Sequence, residues 1–159
     1  GRELLELCHR YHVPLIINDN VALAKKINAD GVHIGQSDME MQHARELLGA
    51  DKIIGVTAKT VEQAKAAQVA GADYLGSGAV FGTSTKADAK PMELALFQKI
   101  CESVEIPVVA IGGISGDNVL QLKGRKMAGI AVVSGIFACE DIEKGTAELL
   151  EKVNSIIEQ

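Results

Sequence analysis

Apolar residues fall into two rhythms along this chain. Leu4, Leu5, Cys8 and Tyr11 recur at helical spacing and predict an amphipathic helix over residues 2 to 12, which Pro14 blocks. Leu15-Ile16-Ile17 is instead a short unbroken apolar run, predicted as a buried strand that ends at Asn18-Asp19. The alternation then repeats. Residues 20 to 28 predict a helix with Val21, Ala24 and Ile27 on one face, and Gly31-Val32-His33-Ile34 predicts a strand ending at Gly35-Gln36-Ser37-Asp38. Ser37 with Glu40 fits a capping box opening a helix through Met41, Ala44, Leu47 and Leu48, which Gly49 stops. Ile53 to Val56 is the third strand, ending at Thr57-Ala58-Lys59, and Thr60 with Gln63 caps a helix running to near Gly71. A short Tyr74-Leu75 strand then gives way to a long Gly/Ser/Thr loop closed by Lys90-Pro91. Leu94, Phe97, Ile100, Cys101 and Val104 mark the next helix, and Pro107 to Ile111 a strand ending at Gly112-Gly113. Ser115 can cap a helix to about Gly124, Ile130 to Val133 is the last strand before Ser134-Gly135, and Ile142 to Ile157 marks a closing helix.

Strand, loop and helix thus succeed one another six times. Continuous apolar strands suit a parallel sheet covered on its faces. Ala29-Asp30-Gly31-Val32 and Ala72-Asp73-Tyr74-Leu75 lead into strands in the same way, and Ala128-Gly129-Ile130-Ala131 does so more loosely. A repeated βα unit predicts an α/β fold of the TIM (β/α)8-barrel type, incomplete here with about six units, in a single domain over residues 1–159. No Gly-x-Gly-x-x-Gly fingerprint opens the first unit, which weighs against a dinucleotide-binding doubly wound sheet.

Composition narrows the function. A charge of −5, aromatics at 3% and no basic cluster argue against a nucleic-acid surface. No apolar run reaches the ~18 residues of a membrane span. Cys8, Cys101 and Cys139 are scattered and lack metal-type spacing, so reduced thiols in a cytoplasmic protein are expected. No Ser-His-Asp, Cys-His or zinc pattern is visible, and His9, His12 and His43 look like surface residues.

In a parallel barrel, residues after the strands converge on one rim, where active sites of this architecture sit. Gly112-Gly113 and Ser134-Gly135 follow the last two strands, a usual phosphate position with donor N–H groups at helix starts; glycines there also serve tight turns. Asp19 and Asp38 suit a magnesium-bound phosphate substrate, because hard cations take carboxylates plus phosphate oxygens. Each also precedes a helix and could be its cap, so both roles stand open. Lys59 and Lys86, with Thr57, Thr83 and Thr85, offer cations and hydroxyls for more phosphate than one monophosphate requires. His33 is a possible substrate contact.

Taken together, Ile17-Asn18-Asp19, His33 to Asp38, Gly55-Val56-Thr57, Gly71 to Tyr74, Thr83-Ser84-Thr85-Lys86, Ile111 to Ile114 and Val132-Val133-Ser134 resemble the thiamine phosphate synthase family over nearly the whole chain. The resemblance implies a (β/α)8 barrel that joins hydroxymethylpyrimidine pyrophosphate to a thiazole phosphate, releasing pyrophosphate, with Mg²⁺ as cofactor and these small molecules as substrates. It implies that Asp19 and Asp38 ligate Mg²⁺. Asn18, Thr57 and Lys86 would hold the leaving pyrophosphate and act as the catalytic residues, with Lys59 nearby. Thr83, Thr85, Gly113 and Ser134 would hold the thiazole phosphate, and His33 and Tyr74 would line the pyrimidine pocket.

Two departures stand out. The family begins with two further βα units, the second ending in a Gln-x-Arg-x-Lys segment that grips pyrophosphate, and nothing here matches it. The chain alone is therefore expected to be inactive or weakly active, with open barrel edges able to pair with another chain. Gly124-Arg125-Lys126-Met127 also replaces a smaller turn before the last strand. The alternatives are a thiazole tautomerase-like relative and a non-catalytic phosphate-binding barrel fragment.

Overall fold

The apolar runs pair side by side in the order in which they are made. In the computed structural model, which describes residues 1–82 and 91–157, the strands are β1 (Ile16–Asn18), β2 (Gly31–Ile34), β3 (Ile53–Thr57), β4 (Tyr74–Gly78), β5 (Val108–Ile111) and β6 (Gly129–Ala131). They form one sheet in the order β1-β2-β3-β4-β5-β6, every pair parallel. A doubly wound sheet reverses its strand order partway; this one never does, and its six strands make a half-barrel. Helix α1 (Arg2–Arg10) precedes them, α2 (Val21–Ile27), α3 (Met41–Leu48), α4 (Val61–Val69) and α5 (Leu94–Glu102) run between them, and the single-turn α6 (Ser134–Phe137) and α7 (Ile142–Ile157) follow.

Register separates the two faces. Asn18, His33, Gly55 and Tyr74 stand in one row, and Thr57, Gly76, Val109 and Gly129 in the row two residues on, so all share a face. The opposite face carries Val32, Ile34, Ile54, Val56, Leu75, Ser77, Val108 and Ala110, all buried. All but Ser77 pack in one cluster with helix residues such as Ala24, Ala44, Ala64, Phe97 and Ile100. The expectation of a sheet covered on both faces is thus corrected among the described residues. Helices bury one face, and His33, Thr57, Tyr74 and Val109 on the other are only half-buried.

The echoed Ala-Asp dipeptides have one job. Asp30 accepts the Leu15 N–H at 2.7 Å and Asp73 accepts the Ile54 N–H at 2.7 Å, each tying a helix-to-strand turn to the preceding strand. A nitrogen-bearing side chain backs each carboxylate: His9 Nε2 lies 2.9 Å from Asp30, and the Arg45 guanidinium, through Nη2, lies 2.7 Å from Asp73. His9 is exposed, as expected of a surface residue, but it has this partner.

Several predicted boundaries move. Helix α1 ends at Arg10, because His12 turns into the left-handed region at φ 56° ahead of Pro14. The Ser37–Glu40 capping box does not form. Helix α3 starts at Met41 without a side-chain cap, and the Asp38 carboxylate takes the Gly35 N–H at 2.6 Å, closing a turn that competes with the helix start. Thr60 does cap α4, accepting from Gln63 N–H at 3.2 Å, while Gln63 reaches back to the Lys59 N–H at 2.8 Å. The Tyr74-Leu75 strand continues through Gly76-Ser77-Gly78. The helix expected after Ser115 is one turn of 3-10 helix, Val119–Leu122. Strand β6 spans Gly129–Ala131, so Val132 and Val133 lie beyond it.

Candidate active site

Two missing side chains make room for the rings on the open face. A Cβ on Gly55 would stand 2.1 Å from Tyr74 Cζ, and one on Gly76 would stand 2.9 Å from His33 Cε1. The rings therefore lie over bare backbone of β3 and β4, with centroids 5.4 Å apart. His33 Nδ1 is 3.0 Å from Tyr74 Oη, and His33 Nε2 is 3.0 Å from Thr57 Oγ1. Three residues predicted for the site, on three strands, form one hydrogen-bonded chain. Burial pushes the Tyr74 phenol above its ordinary pKa of 10.0, so it is a protonated donor at neutral pH.

At the ends of β1 and β2 the carboxylates have local anchors. Asp19 holds the left-handed conformation (φ 62°), an uncommon state for a residue other than glycine, and donates its N–H to His33 O at 2.8 Å. Its Oδ2 accepts from Asn18 Nδ2 at 2.7 Å. Asp19 does not cap α2; Asn20 does, accepting the Leu23 N–H at 2.8 Å. Asp38 does not cap α3 either, and with Gln36 it also borders a groove of about 460 Å³ between α3 and α4. Gln36 crosses to donate to Thr57 O at 2.6 Å, joining the β2 and β3 loops. Asn18, Asp19, Asp38 and Lys59 are all exposed at this rim. Among the described residues, no group of three or more His, Cys, Asp or Glu gathers to hold a metal ion.

The loops after β4, β5 and β6 close on one another. Val80 and Phe81 donate to Ile111 O and Gly112 O at 2.9 and 3.1 Å. Gly113, at φ 63°, lies so close to Gly82 O that a Cβ would sit 2.3 Å away. Gly135 packs as tightly on Ile114 O, 2.4 Å from where its Cβ would stand, so the Gly113 and Ser134 loops meet. The expected helix start after Gly113 is absent, and a side chain organises the turn instead. Asn118 donates to Gly113 O at 2.8 Å and accepts from Ser115 N–H at 2.9 Å. Sequence reasoning missed Asn118, whose only signal was an amide five residues beyond a Gly-Gly pair. The Gly/Ser/Thr loop predicted after Leu75 also took in Ser77. Ser77 is wholly buried on the helix-covered face, its hydroxyl against Met92 Sδ. Thr83, Thr85 and Lys86 lie outside the described residues.

The chain is similar to known proteins of one family. The family model described as thiamine monophosphate synthase matches residues 1–136. The thiamine-phosphate synthase of Ruminiclostridium cellulolyticum is 51% identical over 142 residues, covering 89% of this chain and 68% of that protein. Thiamine-phosphate synthase 2 of Streptococcus pneumoniae serotype 4 is 44% identical over 157 residues, covering 99% and 75%. Among solved structures, the thiamine phosphate pyrophosphorylase of Pyrococcus furiosus superposes with a TM-score of 0.90 at 40% identity, covering 99% of this chain and 75% of that one. At these identities and coverages, the protein belongs to the thiamine monophosphate synthase family.

Proposed function

We propose that this chain is a thiamine-phosphate synthase, a transferase that joins hydroxymethylpyrimidine pyrophosphate to a thiazole phosphate. The observation that carries the reading is the 44–51% identity to curated synthases across most of the chain. The six units are read as part of a (β/α)8-type barrel within one domain, in a cytoplasmic protein with free thiols at Cys8, Cys101 and Cys139. No helix among the described residues is long and apolar enough to cross a membrane.

The donor set fits magnesium. Asp19 and Asp38 offer hard oxygens at neighbouring strand ends, each carboxylate accepts a local hydrogen bond, and neither serves as a helix cap. Bound Mg²⁺ would neutralise charge on the departing pyrophosphate. Around it, Asn18, Thr57 and Lys86, with Lys59 nearby, would donate to pyrophosphate oxygens. His33 and Tyr74 would floor the pyrimidine pocket, and Thr83, Thr85, Gly113 and Ser134 would hold the thiazole phosphate. The pyrimidine's exocyclic C–O bond breaks with its electron pair going to pyrophosphate, and the thiazole nitrogen lone pair forms the new C–N bond. Such a reaction asks for charge stabilisation and orientation rather than a general base.

Calorimetry on the full chain tests this. Mg²⁺–pyrophosphate and thiazole phosphate should both give binding heats, whereas a tautomerase-like site takes only the second. Asp38→Asn retains an acceptor for the Gly35 N–H and should lose the Mg²⁺ dependence of pyrophosphate binding. Unchanged binding by that variant at low Mg²⁺ would remove Asp38 from the metal site.

A further inference from the structure

Both ring nitrogens of His33 face hydroxyls at the same distance, 3.0 Å, so the ring's tautomer sets the direction of the whole chain. A neutral imidazole donates from one nitrogen and accepts at the other. If Nδ1 carries the hydrogen, Thr57 must spend its only O–H on Nε2 and presents lone pairs to the rim, which repel an anion. If Nε2 carries the hydrogen, it donates to Thr57 Oγ1, and the Thr57 O–H is released toward whatever binds at the end of β3. The two hydroxyls pull the ring opposite ways. The phenol of Tyr74 is the stronger acid and hence the stronger donor, and its burial keeps it protonated. Tyr74 cannot turn its ring down toward β3, because the ring already lies on Gly55.

We propose that Tyr74 is a positioning residue that locks His33 as the Nε2–H tautomer, so that Thr57 presents its hydroxyl hydrogen to an anionic substrate group. The directed chain runs Tyr74 O–H to His33 Nδ1, His33 Nε2–H to Thr57 Oγ1, and Thr57 O–H to the ligand. Gly55 and Gly76 take part by leaving space for the two rings. The ligand end of this chain rests on the reading of Thr57 as a pyrophosphate contact; the tautomer does not.

Two measurements on the full chain keep those parts separate. Nitrogen NMR of the ring-labelled protein should show one of its four histidines, the one whose signals move in Tyr74→Phe, as a neutral Nε2–H imidazole. Calorimetry with Mg²⁺–pyrophosphate should show Thr57→Val weakening binding by about tenfold or more, the loss of a hydrogen bond to a charged group. Tyr74→Phe should weaken it by about three- to fivefold without deleting any group that touches the ligand. The double variant should bind within about twofold of Thr57→Val, since both changes break one chain. A hydrogen on His33 Nδ1, in a neutral or a cationic ring, with pyrophosphate binding intact overturns the relay alone. Losses that multiply in the double variant overturn it too. If the unsubstituted chain gives no heat with Mg²⁺–pyrophosphate, the pyrophosphate reading fails first and takes the relay's purpose with it, whatever the tautomer.

Discussion

Replacing Gly55 with Ala is the sharpest test of how the open face is built. The added Cβ would meet Tyr74 Cζ, Cε1 and Oη at 2.1, 2.3 and 2.5 Å, and ordinary contact begins near 3.4 Å, so the ring must retreat by more than an ångström. That retreat breaks the 3.0 Å bond to His33 and the ring contact above it. Each is worth about 0.5–1.5 kcal/mol. A ring that stayed and strained would cost about 1–3 kcal/mol, the same range as the two contacts together, so either route gives a similar gross loss. Alanine recovers about 0.5–1 kcal/mol of backbone entropy relative to glycine. The net expectation is a loss of about 1–2 kcal/mol, from a total that for a domain of this size is about 5–15 kcal/mol. Gly129→Ala is the matched control. It lies on the same face, and its Cβ would find nothing nearer than Val109 Cγ1 at 3.8 Å. With urea slopes of about 1–3 kcal/mol per molar, the Gly55→Ala midpoint should fall by roughly 1 M while the control holds or rises. In the Gly55→Ala background, Tyr74→Ala should cost less than it does alone. Equal midpoints for the two glycine variants would refute the reasoning, because space for a ring would then not be what Gly55 provides.

Three further outcomes are expected. Asn118→Ala removes both bonds that shape the Gly113 turn and should destabilise by about 1–2 kcal/mol, with calorimetry showing inorganic phosphate binding weakened more than Mg²⁺–pyrophosphate binding. Burial raises the Asp30 carboxyl, but the Leu15 N–H and His9 outweigh it and leave the group below its ordinary 3.8. A lowered carboxylate contributes stability in full above 3.8 and loses it as pH falls through the folded value, so below 3.8 urea midpoints should drop more steeply in the parent than in Asp30→Asn. Burial pushes the Cys101 thiol up to about 12, so in thiol-reagent kinetics it should react only on unfolding, after Cys8 and Cys139.

The alternation of strands and helices was legible because each strand places at least one Val, Ile or Leu on the covered face. What was not legible depended on neighbours distant in sequence. Gly76-Ser77-Gly78 reads locally as loop, yet it is strand, since Gly76 lies under His33 and Gly78 would drive a Cβ to 1.9 Å from Ile111 O. Asp19 and Asn20 are equally good caps by composition, and only the left-handed turn at Asp19 assigns the role to Asn20. The Thr60 box formed and the Ser37 box did not, because Asp38 offered the chain a competing turn at Gly35. His33 was named as a contact, but its two hydroxyl partners follow from register across three strands, which no local pattern encodes.

Asp30 and Asp73 bear on more than the turns they hold. Parallel strands such as Ile53-Ile54 and Val108-Val109 are aliphatic at successive positions, so hydrophobicity alone defines their alignment poorly. A slip by one residue would exchange the faces of a strand. His33 or Thr57 would then go under the helices, and Val32 or Val56 would rise to the open side. An aspartate gripping one particular N–H at 2.7 Å permits no such slip. Two carboxylates on the far end of the sheet from the rim thereby act as alignment keys for the chemistry above them. Exchanging either for alanine should blur which residues face the substrate before it melts the sheet.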